Sequence, residues 1–208
     1  MVKVKICGIT NLEDALHAVH AGADALGFNF YSGSPRRVEP AFVGSVVKIM
    51  AGNVMAVGVF VNESIENVVA AAAASGISAI QLHGDETPEY VEHLGSATGL
   101  QVIKAFRISP SFRPEEVLRY GSDMILLDAF SADGFGGTGE IFEWNHCAPV
   151  RSIFPAFYLA GGLGPDNVRE AVERVKPFGV DACSRLESAK GKKDPKKVTE
   201  FIKNARSL

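Results

Sequence analysis

Val2-Lys3-Val4-Lys5-Ile6-Cys7-Gly8-Ile9-Thr10 is the stretch whose reading decides the fold. Val2, Val4 and Ile6 alternate with Lys3, Lys5 and Cys7, which is the period of a strand, and Gly8 permits a sharp turn or a close approach. Thr10 stands three residues before Glu13 in a capping-box pattern, and Leu12, Ala15, Leu16 and Val19 then fall on one helical face. The unit is strand, turn, helix, with a thiol delivered to the mouth. Near the partial positive charge of a helix N-terminus, that thiol is expected to have a lowered pKa and to exchange protons near neutrality. Cys7 is therefore the candidate catalytic base.

The same unit recurs along the chain. Ala25 to Phe30 reads as the second strand, followed by the turn-rich Tyr31-Ser32-Gly33-Ser34-Pro35-Arg36-Arg37 and a helix from about Pro40. Met55 to Val61 is the third strand, with a helix from Ser64 to a stop at Gly76; Ala79 to Leu82 is the fourth, ending at His83-Gly84. Thr87-Pro88-Glu89 opens the next helix, Gln101 to Arg107 is the fifth strand, and a helix around Pro114 to Tyr120 stops at Gly121. Met124 to Leu127 is a short apolar strand carrying Asp128 at its end, and a glycine-rich loop from Asp133 to Gly139 precedes a weaker helix near Asn145 to Ser152. Ala156 to Ala160, a helix from Asn167 to Val175, Gly179 to Cys183 and a last helix after Asp194-Pro195 complete eight strands and eight helices. Such alternation requires a parallel sheet, because parallel neighbours need crossover connections. The expected fold is an α/β (β/α)8 TIM barrel, one domain over residues 1–208, with an open doubly wound sheet as the alternative.

Composition narrows the function. A formal net charge of −3 over 208 residues argues against a general nucleic-acid surface, and no apolar run reaches membrane-span length. The strand at the very start leaves no room for a signal peptide, so a cytoplasmic location is expected. Cys7, Cys147 and Cys183 are too few and too scattered for a disulfide framework or a zinc knuckle, and are expected as reduced thiols. Partners must be inferred from local motifs, and those at the strand ends point to a small phosphorylated molecule; the oligomeric state is open.

In a closed barrel, polar residues at strand C-termini converge on one face, where barrel active sites lie. Cys7, His83, Arg107, Asp128 and Asp181 hold such positions. Asp128 follows four apolar residues, a setting suited to a carboxyl that delivers a proton, and it pairs naturally with Cys7. Arg36, after a proline, offers a planar fork for a carboxylate; His83 is a candidate for binding substrate. Gly161-Gly162-Leu163-Gly164 ends the seventh strand before a helix, and Cys183-Ser184-Arg185 ends the eighth, the paired loops that commonly hold phosphate in barrels. Gly134, Gly136 and Gly139 match a G-x-G-x-x-G spacing, a weak dinucleotide signal in this position. Lys190, Lys192 and Lys193 read as a solvated turn.

These residues carry a resemblance over nearly the whole chain. Val4-Lys5-Ile6-Cys7-Gly8-Ile9-Thr10, Ser34-Pro35-Arg36, Gly58-Val59-Phe60-Val61-Asn62, Gln81-Leu82-His83-Gly84, Leu126-Leu127-Asp128-Ala129, Gly136-Gly137-Thr138-Gly139 and Leu159-Ala160-Gly161-Gly162-Leu163 resemble the phosphoribosylanthranilate isomerase family of tryptophan biosynthesis. The resemblance implies a (β/α)8 barrel that performs an Amadori rearrangement without metal or organic cofactor. It implies Cys7 as general base, Asp128 as general acid and Arg36 as the anthranilate contact. Asp181 and His83 would line the site, and Gly161, Gly162, Ser184 and Arg185 would hold the phosphate. Arg185 departs from the pattern, since the family commonly has glycine there, and its guanidinium is expected as a supplementary phosphate contact. The alternatives are another sugar-phosphate isomerase or epimerase on the same barrel, or a non-catalytic phosphate-ligand-binding barrel.

Overall fold

The computed structural model describes residues 1–50, 52–109, 111–129, 144 and 147–207. Eight parallel strands close on themselves in sequence order: β1 Lys3–Cys7, β2 Ala25–Asn29, β3 Met55–Phe60, β4 Ala79–Leu82, β5 Gln101–Ile108, β6 Met124–Ala129, β7 Phe157–Leu159 and β8 Gly179–Ala182. Closure is the pairing of β1 with β8, where Lys3 to Ile6 face Gly179 to Ala182 in register, and it removes the open-sheet alternative. A closed sheet leaves no unpaired edge.

The crossovers are α1 Leu12–Ala21, α2 Pro40–Met50, α3 Ile65–Ser75, α4 Pro88–Thr98, α5 Cys147–Ile153, α6 Val168–Val175 and α7 Pro195–Ala205. Between β5 and β6 the described crossover is a 3-10 helix, Pro114–Tyr120, ended by Gly121 with φ 55°. The Asp133–Gly139 loop, with Gly134, Gly136 and Gly139, lies outside the described residues, as do Asn145 and His146 of the weaker helix. Ser64, Thr87 and Asp194 cap α3, α4 and α7 as their sequence positions predict. The capping box at Thr10 does not form. Asn11 is the N-cap of α1, accepting from the Asp14 amide at 2.9 Å, while the Thr10 hydroxyl donates to the Gly191 carbonyl. A helix starting at Leu12 leaves Thr10 one residue too early to reach its first amides.

Apolar burial divides into two layers. One cluster lies between the strands and the helices, and α7 contributes Val198, Phe201, Ile202 and Ala205 to it, the stripe set by helical spacing. A smaller cluster, including Ala25, Val57, Ala79, Ile103, Leu126, Tyr158 and Ala160, takes the alternate strand positions and fills the barrel interior. Lys5 shares that inward parity and is 0% exposed. The β1 alternation is thus not an apolar face against a solvated one: its lysines start outside, at the exposed Lys3, and end in the barrel core. After β8 the chain makes a 3-10 turn, Ser184–Leu186, and a hairpin of β9 Glu187–Ala189 with β10 Lys192–Lys193. Lys190 and Lys192 are exposed there as expected of a turn, but Lys193 is 1% exposed, which corrects its reading as a solvated cation.

Candidate active site

Inward parity brings Cys7, His83, Arg107, Asp128 and Cys183 to the C-terminal mouth, one step above Lys5 and Asp181. At the base of this layer Lys5 Nζ lies 2.9 Å from Asp181 Oδ1, with both side chains buried. Burial works against the Lys5 charge, but Asp181 and Cys7 together hold its ammonium above the ordinary lysine range. Asp181 is therefore held by a lysine at its own level in the barrel.

Ile6 faces Ala182 across the β1–β8 seam, so Cys7 and Cys183 leave it side by side, close enough for each thiol to shift the other's titration. Gly8, at φ +72°, makes room for this: a Cβ there would lie 2.7 Å from Cys183 Sγ and 2.7 Å from Arg36 Cδ. The Cys7 thiol is pushed up, first by the neighbouring Cys183 thiol and then by burial, against the pull of Lys5. This overturns the lowered value expected from the helix start, because α1 begins at Leu12 and the nearest strong influence is a second thiol. Cys183 moves down to about 7, chiefly through its Cys7 neighbour, with the Lys193 and Arg36 cations helping and burial opposing.

Arg36 is already gripped. Its Nε and Nη2 reach Glu187 Oε1 and Oε2 at 2.7 and 2.9 Å, a bidentate pair, and Lys193 Nζ joins Glu187 Oε1 at 3.2 Å. Burial opposes the Glu187 charge, but the two cations hold its carboxyl below the usual range. Lys193 also donates to the Cys183 carbonyl at 3.1 Å.

Across the mouth, Gln81 Nε2 donates to His83 Nδ1 at 2.9 Å, which leaves the ring proton on Nε2 in the neutral form. That nitrogen is 3.1 Å from Asp128 Oδ2, without the alignment of a hydrogen bond. The loop behind His83 is anchored by buried Lys104, which donates to Gly84 O at 2.8 Å and Glu86 Oε2 at 2.9 Å. Arg107 pairs with Asp85.

Gly161 and Gly162 take φ +84° and +65°, the left-handed region open to glycine, and lead towards α6. Arg185, which does not take a positive φ, sends Nη2 to both oxygens of Asp166 at 2.9 and 2.7 Å and Nη1 to the Gly162 carbonyl at 2.8 Å. Its guanidinium ties the loop after β8 to the loop after β7. Ser184 opens the 3-10 turn beside it. No group of three or more His, Cys, Asp and Glu among the described residues is placed to hold a metal ion. No helix among them is long and apolar enough to cross a membrane.

Comparison with known proteins fits this geometry. The profile of N-(5'phosphoribosyl)anthranilate (PRA) isomerase matches residues 4–204. The chain belongs to this family. It is 48% identical over 208 residues, all of both chains, to N-(5'-phosphoribosyl)anthranilate isomerase of Thermotoga neapolitana. The crystal structure of the family member from Thermotoga maritima superposes with a TM-score of 0.93 at 42% identity, covering 100% of each chain. A further family structure, 42% identical over the full length of both chains with a TM-score of 0.89, is a complex with reduced 1-(o-carboxyphenylamino)-1-deoxyribulose 5-phosphate.

Sequence reasoning named Cys7, Arg36, His83, Asp128 and Asp181, and the fold gathers them at one end. It gave no site role to Lys5 or Glu187, counted Cys183 only as a reduced thiol ending the eighth strand and Lys193 as part of a solvated turn, yet all four surround the named residues. Lys5 and Asp181 share a register step only once β1 meets β8, and a one-dimensional pattern carries no sign of that meeting.

Proposed function

We propose that this chain converts N-(5-phosphoribosyl)anthranilate to 1-(2-carboxyphenylamino)-1-deoxyribulose 5-phosphate by an Amadori rearrangement, the isomerisation of tryptophan biosynthesis. The observation that supports it best is the placing of Cys7 and Asp128 on inward positions at the same end of β1 and β6, in a chain of the isomerase family. An acid and a base facing one space can act on two atoms of one sugar. Asp128 protonates the furanose ring oxygen, opening the ring to a Schiff base, and His83 beside it steadies the carboxyl. Cys7 as thiolate takes the C2′ proton, giving an enolamine that tautomerises to the ketone. Lys5 beneath Cys7 favours the charged sulfur.

Substrate is held at both ends. Glu187 fixes Arg36 through Nε and Nη2 and leaves the Nη1 protons to the anthranilate carboxylate. The phosphate sits against the amides of Gly161, Gly162, Ser184 and Arg185, with the Arg185 side chain neutralising Asp166 at the rim; Asp181 lines the floor.

A fluorescence assay with freshly generated phosphoribosylanthranilate tests substrate and reaction together. Turnover is expected, reduced about 10²–10⁴-fold in Cys7→Ala and in Asp128→Asn with ligand binding retained. No turnover by folded protein would refute the reading. Comparable turnover of a simple pentose phosphate would favour the broader sugar-phosphate isomerase instead.

A further inference from the structure

Two thiols with different surroundings stand next to each other at the mouth. Parallel neighbours lie about 4.7–4.9 Å apart, inside the Cα separation of about 4.4–6.8 Å that a disulfide spans. The Cys7 sulfur rests against Gly27 of β2, where a Cβ would come within 2.7 Å of it, and the Cys183 sulfur rests over Gly8, the residue after Cys7, where a Cβ would also come within 2.7 Å. Cys183 is partly exposed and has the Lys193 ammonium 3.9 Å from its sulfur, with the Arg36 cation also acting on it; Glu187 is the opposing charge. Cations at a reachable thiol are the surroundings of a nucleophilic cysteine. Cys147, the first residue of α5, has no such cations: it is fully buried, and burial alone pushes its thiol up to about 12.

We propose that Cys7 and Cys183 form a peroxide-reactive dithiol, Cys183 attacking and Cys7 resolving, so that a hydroperoxide closes a disulfide across the β1–β8 seam and removes the catalytic base. The Cys183 thiolate attacks one peroxide oxygen and the O–O bond breaks, giving a sulfenic acid and hydroxide, which takes up the proton lost from Cys183. The Cys7 thiolate then attacks Cys183 Sγ, the S–O bond breaks, and the departing hydroxide takes the Cys7 proton. Two thiols and one hydrogen peroxide become one disulfide and two waters; an organic hydroperoxide leaves its alcohol and one water. A thiol reductant reverses the change. The consequence for activity rests on Cys7 being the base, whereas the disulfide itself does not.

The test treats the full chain with hydrogen peroxide at mildly alkaline pH, blocks remaining thiols, and maps the unreduced peptides by mass spectrometry alongside isomerase activity. A Cys7–Cys183 linked peptide is expected, with activity lost as it forms and regained with dithiothreitol. Cys183→Ser should give no linked peptide and no reductant-reversible loss. In Cys7→Ser the unresolved sulfenic acid should be trapped by dimedone on Cys183. Oxidation of the parent without the linked peptide would overturn the proposal, as would dithiothreitol-reversible inactivation of Cys183→Ser equal to that of the parent. A chain that forms the link but never isomerises the substrate would refute the assigned reaction and leave the dithiol established.

Discussion

Replacing Lys5 by methionine should be among the most damaging single changes in the barrel interior, and by an amount that depends on pH. The substitution nearly conserves volume, so the loss is electrostatic: Asp181, 7% exposed, is left without the ammonium at 2.9 Å. Breaking a buried pair in this way costs about 3–5 kcal/mol. Protonation sets a ceiling at neutral pH. Adding a proton to a carboxyl whose unfolded-chain pKa is about 3.9 costs about 1.4 kcal/mol per pH unit, hence about 4 kcal/mol at pH 7. If the variant escapes by that route, its native state binds one proton more than its unfolded state. Its stability then rises as pH falls, and its deficit against the parent shrinks by about 1.4 kcal/mol per unit until the unfolded carboxyl titrates too. At neutral pH the loss corresponds to a Tm lower by about 8–16 °C for a chain of this length. Urea unfolding followed by circular dichroism at several pH values between neutrality and mild acid measures the deficit. Lys5→Met/Asp181→Asn should recover most of it, because the unpaired charge is gone. A deficit below about 1 kcal/mol, or one that is the same at every pH, would refute the idea that Asp181 depends on Lys5.

Arg185→Gly should weaken binding of phosphate-bearing ligands by about 1 kcal/mol or less, since the Asp166 pair is partly solvent-exposed; the effect should be largest at low salt and vanish in Arg185→Gly/Asp166→Asn, as titration calorimetry at two ionic strengths would show. Arg36→Lys should raise KM while leaving kcat closer to the parent, because one ammonium cannot serve both Glu187 and a substrate carboxylate as a planar fork does; an unchanged KM counts against that role. Alkylation of the native chain by iodoacetamide should rise through about pH 7 at Cys183, following its thiolate, and should leave Cys147 untouched until unfolding. Asn11→Ala should cost about 1 kcal/mol of stability through loss of the α1 cap, whereas Thr10→Ala should not fray α1, a contrast that hydrogen exchange in its first turn would report.

Much of the fold follows from period alone. Alternating strand and helix signals, with caps at Ser64, Thr87 and Asp194, require parallel strands joined by crossovers, and this is local information. The same local signals put Cys7, His83, Asp128 and Asp181 at strand ends. What sequence by itself determined is therefore which residues reach the mouth. Tertiary structure decided what each of them meets there. Closure of β1 on β8 sets Lys5 against Asp181 and Cys7 against Cys183, pairings across 176 residues in each case. It inverts the expected thiol shift, since a second thiol in a buried site outweighs a helix end several residues away. The hairpin after β8 brings Glu187 and Lys193 to Arg36, turning a loop cation into a held one. Charges act through space and desolvation, neither of which has a period along the chain, so the partners of the site residues became legible only when the barrel closed.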